Sequence, residues 1–448
     1  MLLKSKIRVL GENGCALGRV PQGVAKALVG TGAATVETRH ASSLLRLSPA
    51  KKKPANKPCR PVAAPRTPRI NALKNIVDMA GKFVNKKYTG DLLLTIDGDK
   101  LRVQSTDLTY HFSGYIEADD KYRFSFDTWD INSVCVNPDE LKKLLPLTSG
   151  VVDVCITQKE NILGIRFGEF FLEGGDAGAF PAIYPIKNER NRTVMVEGIA
   201  DKLGYISKAI GKSPTRSVFE GILFDLKEGC MVCANGDRLH AAILATEYPA
   251  PSLTDKINAC DGSYALVPRK ILLAGKYLSG EVTGVVSVGT EKVQEYCERA
   301  VFGLNIPGCK DASITSQCIE GTYPRYKEVI PTIYKNSFTT TRDDIVSCLK
   351  KAQANLRNDV DYGCIAMSFS NEEGATAETK SYKTPIAGSY TGEPFKGLVN
   401  IEYVLDGIQG MPPGEIKIEL PENGEYQGWC IRGEQNFIAM VMPVEDNR

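Results

Sequence analysis

The feature that most constrains this chain is a pattern that occurs three times along it, at a spacing of roughly 120 to 145 residues. Each copy begins with a segment whose apolar residues recur at helical spacing, at 70–83, 196–210 and 341–357. Two β-rich runs follow, and in the first copy Asp97 and Gly98 mark the turn between them. A second helical segment then leads into a further strand. Two helices over antiparallel strands bury one face of a sheet, so the repeat predicts an α+β fold built from three similar domains.

The length of the chain agrees with this division. At 448 residues it is long enough for roughly three domains of about 150 residues each. Residues 48–69 are rich in proline, lysine and alanine and show neither a strand nor a helix period, which predicts a linker. The predicted organisation is a small amino-terminal appendage at 1–47, the linker at 48–69, and three repeat domains at 70–190, 191–332 and 333–448.

Two features of the amino-terminal part are open. The pattern of residues 1–47 predicts a strand, a turn, a short helix and a second strand. In the first repeat, the strand expected before the first helix falls on the proline-rich AAPRTPR at 63–69, and proline cannot donate to a β-ladder. Either the run KIRVL at 6–10 folds back to replace that strand, or the edge of the sheet stays open.

The composition bears on the compartment and on the partners. Thirteen cysteines, scattered and odd in number, fit a reducing compartment in which thiols stay free, so we expect no disulfides. No apolar run approaches the roughly 18 residues of a membrane helix, and the first residues lack the features of a secretory signal. We therefore expect a cytoplasmic protein without a membrane partner. The net charge of +2 does not by itself indicate a nucleic-acid partner, so any basic surface must be local.

Residues suited to catalysis or metal binding form no recognised pattern. The three histidines have no second histidine or cysteine pair at ligand spacing. Cys230 and Cys233 form a CxxC, but inside a predicted strand they belong to opposite faces. The GKS at Gly211 looks like the end of a phosphate loop, yet Ile206 stands where the earlier glycine is required. We predict no catalytic residue, no metal and no cofactor.

From residue 70 to the end, a series of motifs resembles the bacterial-type β sliding clamp of DNA polymerase III. The most specific pieces are EGILFDL at 220–226, ANGDRLHAA at 234–242, VPRK at 267–270 and EGTYPRYKEVIP at 320–331. They stand in the order of the family. The resemblance implies a non-catalytic processivity factor: a homodimeric ring of six clamp domains around duplex DNA, placed there by a separate clamp loader, that holds the replicative DNA polymerase.

A ring that slides needs diffuse positive charge towards the phosphates and no contacts that read bases. Basic residues lie on or beside five of the six predicted helices, which favours a basic channel over ordinary solvated lysines. The last helix, with Glu402 and Asp406, does not contribute. Two further residues belong to the loop GKSPTR, which touches DNA in the family. The predicted DNA-facing residues are Lys74, Lys82, Lys142, Lys143, Lys202, Lys208, Lys212, Arg216, Arg269, Lys270, Lys276, Lys350, Lys351 and Arg357.

The resemblance also implies a hydrophobic pocket between the second and third domains, which in the family binds short peptide tails of polymerases, loaders and repair proteins. Without the resemblance, its apolar residues would be interpreted as plain core. Methionines suit a pocket that adapts to several partners. The predicted lining is Phe219, Ala234, Gly236, Asp237, Arg238, Leu239, Pro324, Val329, Met440, Val441, Met442 and Pro443.

Two more expectations rest on the resemblance. The dimer seam, where the last strand of the first domain meets the first helix of the third, would use Phe170, Leu172 and Leu356.

The rim of the pocket carries Asp237, Glu328 and Glu445 where the family has histidine, arginine and a terminal arginine. Because rim charges tune partner choice, an acidic rim predicts a preference for peptides with basic flanks.

Two alternative functions use the same residues differently. A clamp-fold structural or decoy protein would not encircle DNA, and the amino-terminal appendage gives this alternative some weight. A metal-dependent DNA-modifying enzyme would need clustered acidic ligands, for which Asp97, Asp99 and Asp107 are the nearest candidates. These three look like turn residues of hairpins, which favours the non-catalytic interpretation.

Overall fold

The computed structural model describes four strands among residues 6–47, and residues 71–444 with gaps at 88–89, 128–130, 149, 183–188, 212–216, 227–228, 244–263, 288–296, 331–333, 357–361 and 423–426. The chain divides into two compact units, Met1–Arg69 and Ile70–Arg448. No helix in this described part is long and apolar enough to cross a membrane.

The amino-terminal unit contains a four-stranded sheet. Its strands are β1 (Lys6–Leu10), β2 (Ala16–Pro21), β3 (Ala34–Arg39) and β4 (Ser42–Leu47). The order is β2-β1-β4-β3, in which β1 and β4 are parallel and the other pairs antiparallel. The predicted short helix and the predicted linker lie outside the described residues.

The second unit contains three repeats of one topology. The first repeat has helices α1 (Ala72–Ala80) and α2 (Pro138–Leu144) and strands β5 (Leu92–Asp97), β6 (Lys100–Thr106), β7 (Tyr110–Glu117), β8 (Tyr122–Phe126), β9 (Ser133–Val136), β10 (Val152–Lys159), β11 (Ile162–Phe167) and β12 (Phe170–Glu173). Short 3-10 turns, Gly81–Phe83 and Leu145–Leu147, extend both helices.

Among its described residues, the second repeat has one α-helix, α3 (Ile199–Ile206). Its strands are β13 (Glu189–Met195), β14 (Gly221–Asp225), β15 (Cys230–Ala234), β16 (Arg238–Ile243), β17 (Tyr264–Pro268), β18 (Leu278–Ser287), β19 (Arg299–Leu304) and β20 (Lys310–Gln317). The predicted boundary at 190–191 falls inside β13, which pairs with β18 of this repeat.

The third repeat follows the short helix α4 (Tyr326–Val329). It has helices α5 (Arg342–Ala354) and α6 (Ile401–Gln409) and strands β21 (Asn336–Thr341), β22 (Cys364–Ser370), β23 (Gly374–Glu378), β24 (Lys383–Ile386), β25 (Ser389–Thr391), β26 (Phe395–Asn400), β27 (Glu415–Leu420), β28 (Trp429–Gly433) and β29 (Phe437–Val441). The predicted α+β fold of three repeated domains is therefore confirmed.

Helix starts are set by capping side chains that the sequence supplies. Asn71, Asn137, Thr341 and Asn400 each accept a hydrogen bond from a backbone N–H in the first turn of α1, α2, α5 and α6. These bonds satisfy donors that have no partner inside the helix. In α2, Pro138 follows the cap, where its fixed φ suits the first helical position.

The second helix predicted for the second repeat is not an α-helix. Residues Arg269–Leu273 and Gly275–Tyr277 form two 3-10 turns instead. Only nine residues separate Pro268 from β18, and Gly275 falls in the middle of them. Glycine is unfavourable in the interior of an α-helix, and short helical segments commonly adopt 3-10 geometry.

The repeats join through two antiparallel strand pairs. At the seam between the first and second repeats, β7 pairs with β20, so that Phe112 lies opposite Ile314. At the seam between the second and third repeats, β16 pairs with β29, so that Leu239 lies opposite Met440. The counterparts of these strands at the two ends of the series are β12 and β24, which form the outer edges of two four-stranded sheets within the described residues.

The first repeat completes its sheet with a strand that the sequence pattern did not predict. In the second and third repeats, β18 and β27 are flanked by β13 and β21, both antiparallel. In the first repeat the equivalent strand β10 is flanked by β8 in a parallel pair, with Val152 opposite Tyr122 and Ile156 opposite Phe126. Both alternatives weighed from the sequence are therefore wrong, because KIRVL pairs with β2 and β4 and because β8 covers the edge of β10.

The core follows from the alternation of apolar residues on these strands. A large buried cluster runs through all three repeats, and a smaller one lies beside the second seam around Phe219, Leu223 and Tyr323. Cys230 belongs to the smaller cluster and Cys233 to the larger, which confirms that this CxxC spans opposite faces of β15. The ten cysteines among the described residues are free thiols.

Candidate peptide-binding cavity and basic surface

A cavity of about 110 Å³ lies at the second seam. Four segments build it: Ser217–Glu220, the turn from β15 to β16, the segment that leads into and includes α4, and the end of β29. Its walls are almost entirely apolar, as expected of a site for a hydrophobic side chain. The lining residues are Phe219, Ala234, Gly236, Arg238, Leu239, Tyr323, Pro324, Tyr326, Val329, Met440 and Met442.

Most of the predicted lining residues surround this cavity, and three do not. Val441 is fully buried in the main core, because alternation along β29 directs Met440 to the cavity and Val441 to the opposite face. Asp237 is exposed at the tip of the turn, and its carbonyl accepts a hydrogen bond from the N–H of Met442. Pro443 forms a bridge with Val399 of the third repeat, away from the lining.

The prediction from sequence missed two aromatic walls, Tyr323 and Tyr326. The hydroxyl of Tyr326 donates a hydrogen bond of 2.8 Å to Asp225, a buried carboxylate, and lies 2.9 Å from the Cys230 thiol. These contacts fix the ring of Tyr326 as one wall. The pKa of the Tyr326 hydroxyl is raised, first by burial and then by the neighbouring Cys230 and Asp225, so the neutral form that donates to Asp225 is favoured.

A charged group holds another wall of the cavity. Arg238 forms an ion pair of 2.8 Å with Asp406 of α6, and its guanidinium lies 4.4 Å from the centre of the Tyr403 ring. Lys208 pairs with the other oxygen of Asp406 at 3.0 Å. Burial alone would raise the pKa of Asp406, but hydrogen bonds from Arg238 and Lys208 and their charges lower it overall. Arg238 is thereby fixed across the second seam.

One of the three acidic rim residues predicted from the sequence forms an ion pair. Glu328 forms an ion pair of 3.0 Å with Arg325 on the same short helix, which offsets its charge. Glu445 lies outside the described residues. Asp237 remains an exposed carboxylate at the rim. The preference for peptides with basic flanks stays a prediction.

The predicted DNA-facing residues fall into four groups. Lys212, Arg216 and Arg357 lie outside the described residues. Exposed residues on or beside the helices are Lys74, Lys82, Lys143, Lys208, Arg269, Lys276, Lys350 and Lys351. Lys142 is half-buried, with its Nζ 3.9 Å from Asp78. Lys202 and Lys270 differ from the prediction.

Lys202 is buried, and Lys270 is held by an ion pair within the protein. Lys202 is only 8% exposed, and burial lowers the pKa of its ammonium group. Lys270 forms an ion pair with Asp107, whose side chain is 10% exposed, and its Nζ lies 5.6 Å from the centre of the Phe83 ring. Both contacts of Lys270 cross the first seam. Lys202 and Lys270 therefore contribute to the fold, because spacing along a helix does not show which turn lies against a neighbouring repeat.

The predicted dimer residues lie in the first and the third repeats. Phe170 and Leu172 belong to β12, where Phe170 is half-buried and Leu172 is 8% exposed. Leu172 already packs into the core of its own chain. Leu356 follows the end of α5 and packs partly against the main core. Phe170 therefore keeps the larger accessible surface on that strand edge.

The candidate acidic ligands of a metal-dependent enzyme are used as turn and seam residues. Asp97 ends β5, and Gly98 has a φ of 59° in the tight turn that Asp99 completes. One oxygen of Asp107 accepts the N–H groups of Thr109 and Tyr110, and the other meets Lys270. The described residues contain no group of three or more His, Cys, Asp or Glu that could hold a metal ion.

Comparison with known proteins agrees with this fold. No protein-family profile matches the chain. Curated relatives include the β sliding clamp of Synechocystis, 22% identical over 394 residues that cover 84% of this chain and 98% of the relative, and that of Caulobacter vibrioides, 24% identical over 373 residues that cover 79% and 91%. The solved DNA polymerase III β subunit of Pseudomonas aeruginosa superposes with a TM-score of 0.66 at 19% identity, covering 84% of this chain and 98% of that one.

The fold is therefore that of the ring-forming sliding clamps. The resemblance to the bacterial-type β sliding clamp of DNA polymerase III, first indicated by the motifs, is confirmed by relatives and solved structures alike. The low identities make this chain a divergent relative of those proteins.

Proposed function

We propose that the chain is a processivity factor of DNA replication: a sliding clamp that closes as a homodimer around duplex DNA and holds a replicative DNA polymerase through the cavity at the second seam. Its relatives are non-catalytic subunits of DNA polymerase III. The observation that carries the proposal is the pair of strands β12 and β24, at the two ends of the series of repeats, whose outer edges have no partner strand among the described residues.

Ring closure follows from repeating a pairing that the chain already uses twice. The strand that pairs at each internal seam, β7 or β16, corresponds to β24 in the third repeat. The partner strands of β7 and β16 at these seams are β20 and β29, and they correspond to β12 in the first repeat. If β24 pairs with β12 of a second copy, a third seam of the same kind forms. Two such seams join six repeats head to tail into a closed ring.

The exposed basic residues support a contact with phosphates. They lie on the helices of all three repeats, as a contact with the backbone of a continuous duplex requires, and lysine contacts carry no base information. We expect binding that is weak, blind to sequence and strongly weakened by salt. In this proposal Lys202 and Lys270 do not contact DNA.

The cavity supports the contact with partners. An apolar cavity of about 110 Å³ with fixed walls suits one hydrophobic side chain of a short peptide. Met440 and Met442 line it, and their flexible thioether side chains allow related peptides to bind. A polymerase and a clamp loader that carry such a peptide would compete for the same site.

The mass of the protein in solution tests the ring. We expect a dimer of about twice the chain mass of 48.9 kDa at micromolar concentration. Phe170→Glu should give monomers, because it places a charge on the strand edge that closes the ring. Lys159→Glu changes an exposed residue at the end of β10 and serves as the control. A wild-type monomer that does not bind a clamp loader would instead support a structural protein that does not encircle DNA.

A further inference from the structure

The net charge of +2 hides two oppositely charged parts. Residues 1–69 contain 14 lysines and arginines and two acidic residues, Glu12 and Glu37, a net charge of +12. Residues 70–448 contain the remaining 41 lysines and arginines and 51 acidic residues, a net charge of −10. The unit that carries the clamp repeats is therefore acidic overall, and the positive charge is concentrated in the amino-terminal unit.

The strand register gathers basic residues of that unit on one face of its sheet. Arg8 of β1 lies opposite Arg19 of β2 and, on its other side, opposite Leu44 of β4. Cross-strand partners share a face, and so do residues two apart on one strand. Lys6 therefore joins Arg8 and Arg19, and Arg46 joins Leu44.

The outer strand continues this face. On β3, Thr35 pairs with Arg46 and Arg39 pairs with Ser42, so both belong to the face that Arg46 occupies. All five basic residues of the four strands thus share one face: Lys6, Arg8, Arg19, Arg39 and Arg46. Glu37 is the one acidic residue of the strands and belongs to the same face.

The opposite face is mostly apolar, with Thr38 and Ser43 as a polar pair. Ile7 pairs with Val20, and Val9 and Val36 both pair with Leu45. A sheet with one apolar and one basic face is typical of a folded module whose basic face meets an anionic partner. A sheet that only capped a neighbouring core would not need five positive charges against one negative charge on its other face.

We propose that this basic face binds the phosphate backbone of duplex DNA, as a second contact outside the helices of the clamp repeats. The proposal rests on the proposed function in one respect, since a clamp brings duplex DNA to this chain. Each phosphate that a cation neutralises releases a counterion, so five cations add substantially to binding at low salt. Such a contact compensates for the net negative charge of the clamp unit, which opposes the approach of DNA.

The test is the affinity of the full chain for a short linear duplex, measured by fluorescence anisotropy between about 50 and 200 mM salt. A ring slides off such a duplex, so the measurement reports direct contact rather than encirclement. Replacing Lys6, Arg8, Arg19, Arg39 and Arg46 together by glutamine should weaken binding at least tenfold at the lowest salt. It should also reduce the slope of log affinity against log salt by up to about 4.5.

A charge-preserving variant supplies the matched control. It carries Lys6→Arg together with lysine at the four arginine positions, and we expect it to bind like the wild type. If the glutamine variant does not fold, the paired change Arg8→Gln with Arg19→Gln should still weaken binding several-fold. Circular dichroism checks the fold of each variant.

Three outcomes would overturn the proposal. Unchanged duplex affinity of the folded glutamine variant excludes the contact, and so does stronger binding. Binding to vesicles of acidic phospholipid without any effect on duplex affinity would assign the face to lipid. Retention on circular DNA is measured separately, so a clamp that loads normally with unchanged duplex affinity refutes this inference and leaves the proposed function standing.

Discussion

The two internal seams have the same backbone plan and opposite chemistry. Each pairs two strands from neighbouring repeats, and each has a cavity beside the hairpin turn that leads into the seam. The cavity at the first seam measures about 200 Å³ and the one at the second about 110 Å³. The first is lined by Thr106, Leu108, Thr109, Tyr110, His111, Pro181, Ala182, Arg299, Thr315 and Gln317.

Equivalent hydrogen bonds place the residues of the two cavities in register. The N–H of Gln317 donates to the carbonyl of Thr109, as the N–H of Met442 donates to that of Asp237. By this register Gln317 corresponds to Met442, and by the strand pairs His111 and Thr315 correspond to Leu239 and Met440. Three polar residues at one seam therefore stand where three apolar residues stand at the other.

The difference shows that the fold creates a cavity at every seam, whereas side chains decide whether it can bind a hydrophobic peptide. Burying an apolar side chain is favourable only against apolar walls, because unpaired polar walls lose their hydration. The first seam is therefore expected to be structural, and the second to bind partners. The predictions below test this contrast.

The largest expected effect is a loss of folding stability at acidic pH. His240 is fully buried at the second seam, stacks on Tyr205 at 4.9 Å and has its Nδ1 3.2 Å from the Tyr205 carbonyl. Burial lowers the pKa of His240 to about 4 from an ordinary value of 6.5. The stability that neutral His240 contributes is fully present above pH 6.5 and is lost as the pH falls from 6.5 to about 4. The full loss is about 3 kcal/mol.

Urea unfolding at several pH values in this window measures the loss. His240→Gln should flatten the pH dependence, since glutamine does not titrate. His111→Gln at the first seam should flatten the pH dependence by a similar amount, because burial lowers the pKa of His111 to about 4 as well. A pH dependence that is unchanged in both variants would contradict the burial of neutral histidines at the two seams.

The second prediction compares equivalent residues. Met442→Asp should weaken a hydrophobic peptide about a hundredfold, or about 2.7 kcal/mol, since it places a charge against the bound side chain. Gln317→Asp makes the matched change at the first seam and should leave peptide affinity unchanged. Fluorescence titration of one labelled peptide measures both. A loss with Gln317→Asp as large as with Met442→Asp would show that the first cavity also binds peptides.

The third prediction separates two lysines of one segment. Lys270→Ala should lower the free energy of unfolding by about 1–2 kcal/mol, because it leaves the mostly buried Asp107 without its cation. Lys276 is exposed, so Lys276→Ala should leave stability unchanged and weaken DNA binding slightly. Thermal unfolding and duplex affinity are measured for both. The account fails if Lys270→Ala weakens DNA binding without any loss of stability.

The smallest effect concerns the wall of the peptide cavity. Tyr326→Phe removes the hydroxyl that donates to Asp225 and should lower peptide affinity about threefold to tenfold, since the ring is no longer fixed. Cys230→Ala leaves that hydrogen bond in place and should keep near wild-type affinity. Wild-type affinity of Tyr326→Phe would mean that the hydrogen bond does not position the wall.

The repeat and most of the cavity could be predicted from sequence, because they rest on periodicity and on motifs in a fixed order. The lining from Phe219 to Met442 followed from the resemblance, whereas Tyr326 was missed because its role depends on a hydrogen bond to Asp225, which is distant along the chain. Val441 was misplaced because neighbours on a strand face opposite sides and a motif does not show which side is the cavity.

Other differences arise from contacts between distant segments. β8 was missed because it forms a parallel pair with β10, which leaves no hairpin pattern in the sequence. Lys202 and Lys270 were assigned to DNA from their spacing in the sequence. Such spacing marks an exposed position only where no other element packs against the helix. The charge of the amino-terminal unit was readable from sequence, but its concentration on one face needed the strand register.

Retention on DNA tests the central claim most directly. The wild-type protein, loaded onto nicked circular DNA with a clamp loader, should remain bound during gel filtration and should be lost once the circle is cut. Phe170→Glu should be lost from both forms, because its ring does not close. If the wild-type protein stays equally on circular and linear DNA, or on neither, then the three repeats do not close into a sliding ring.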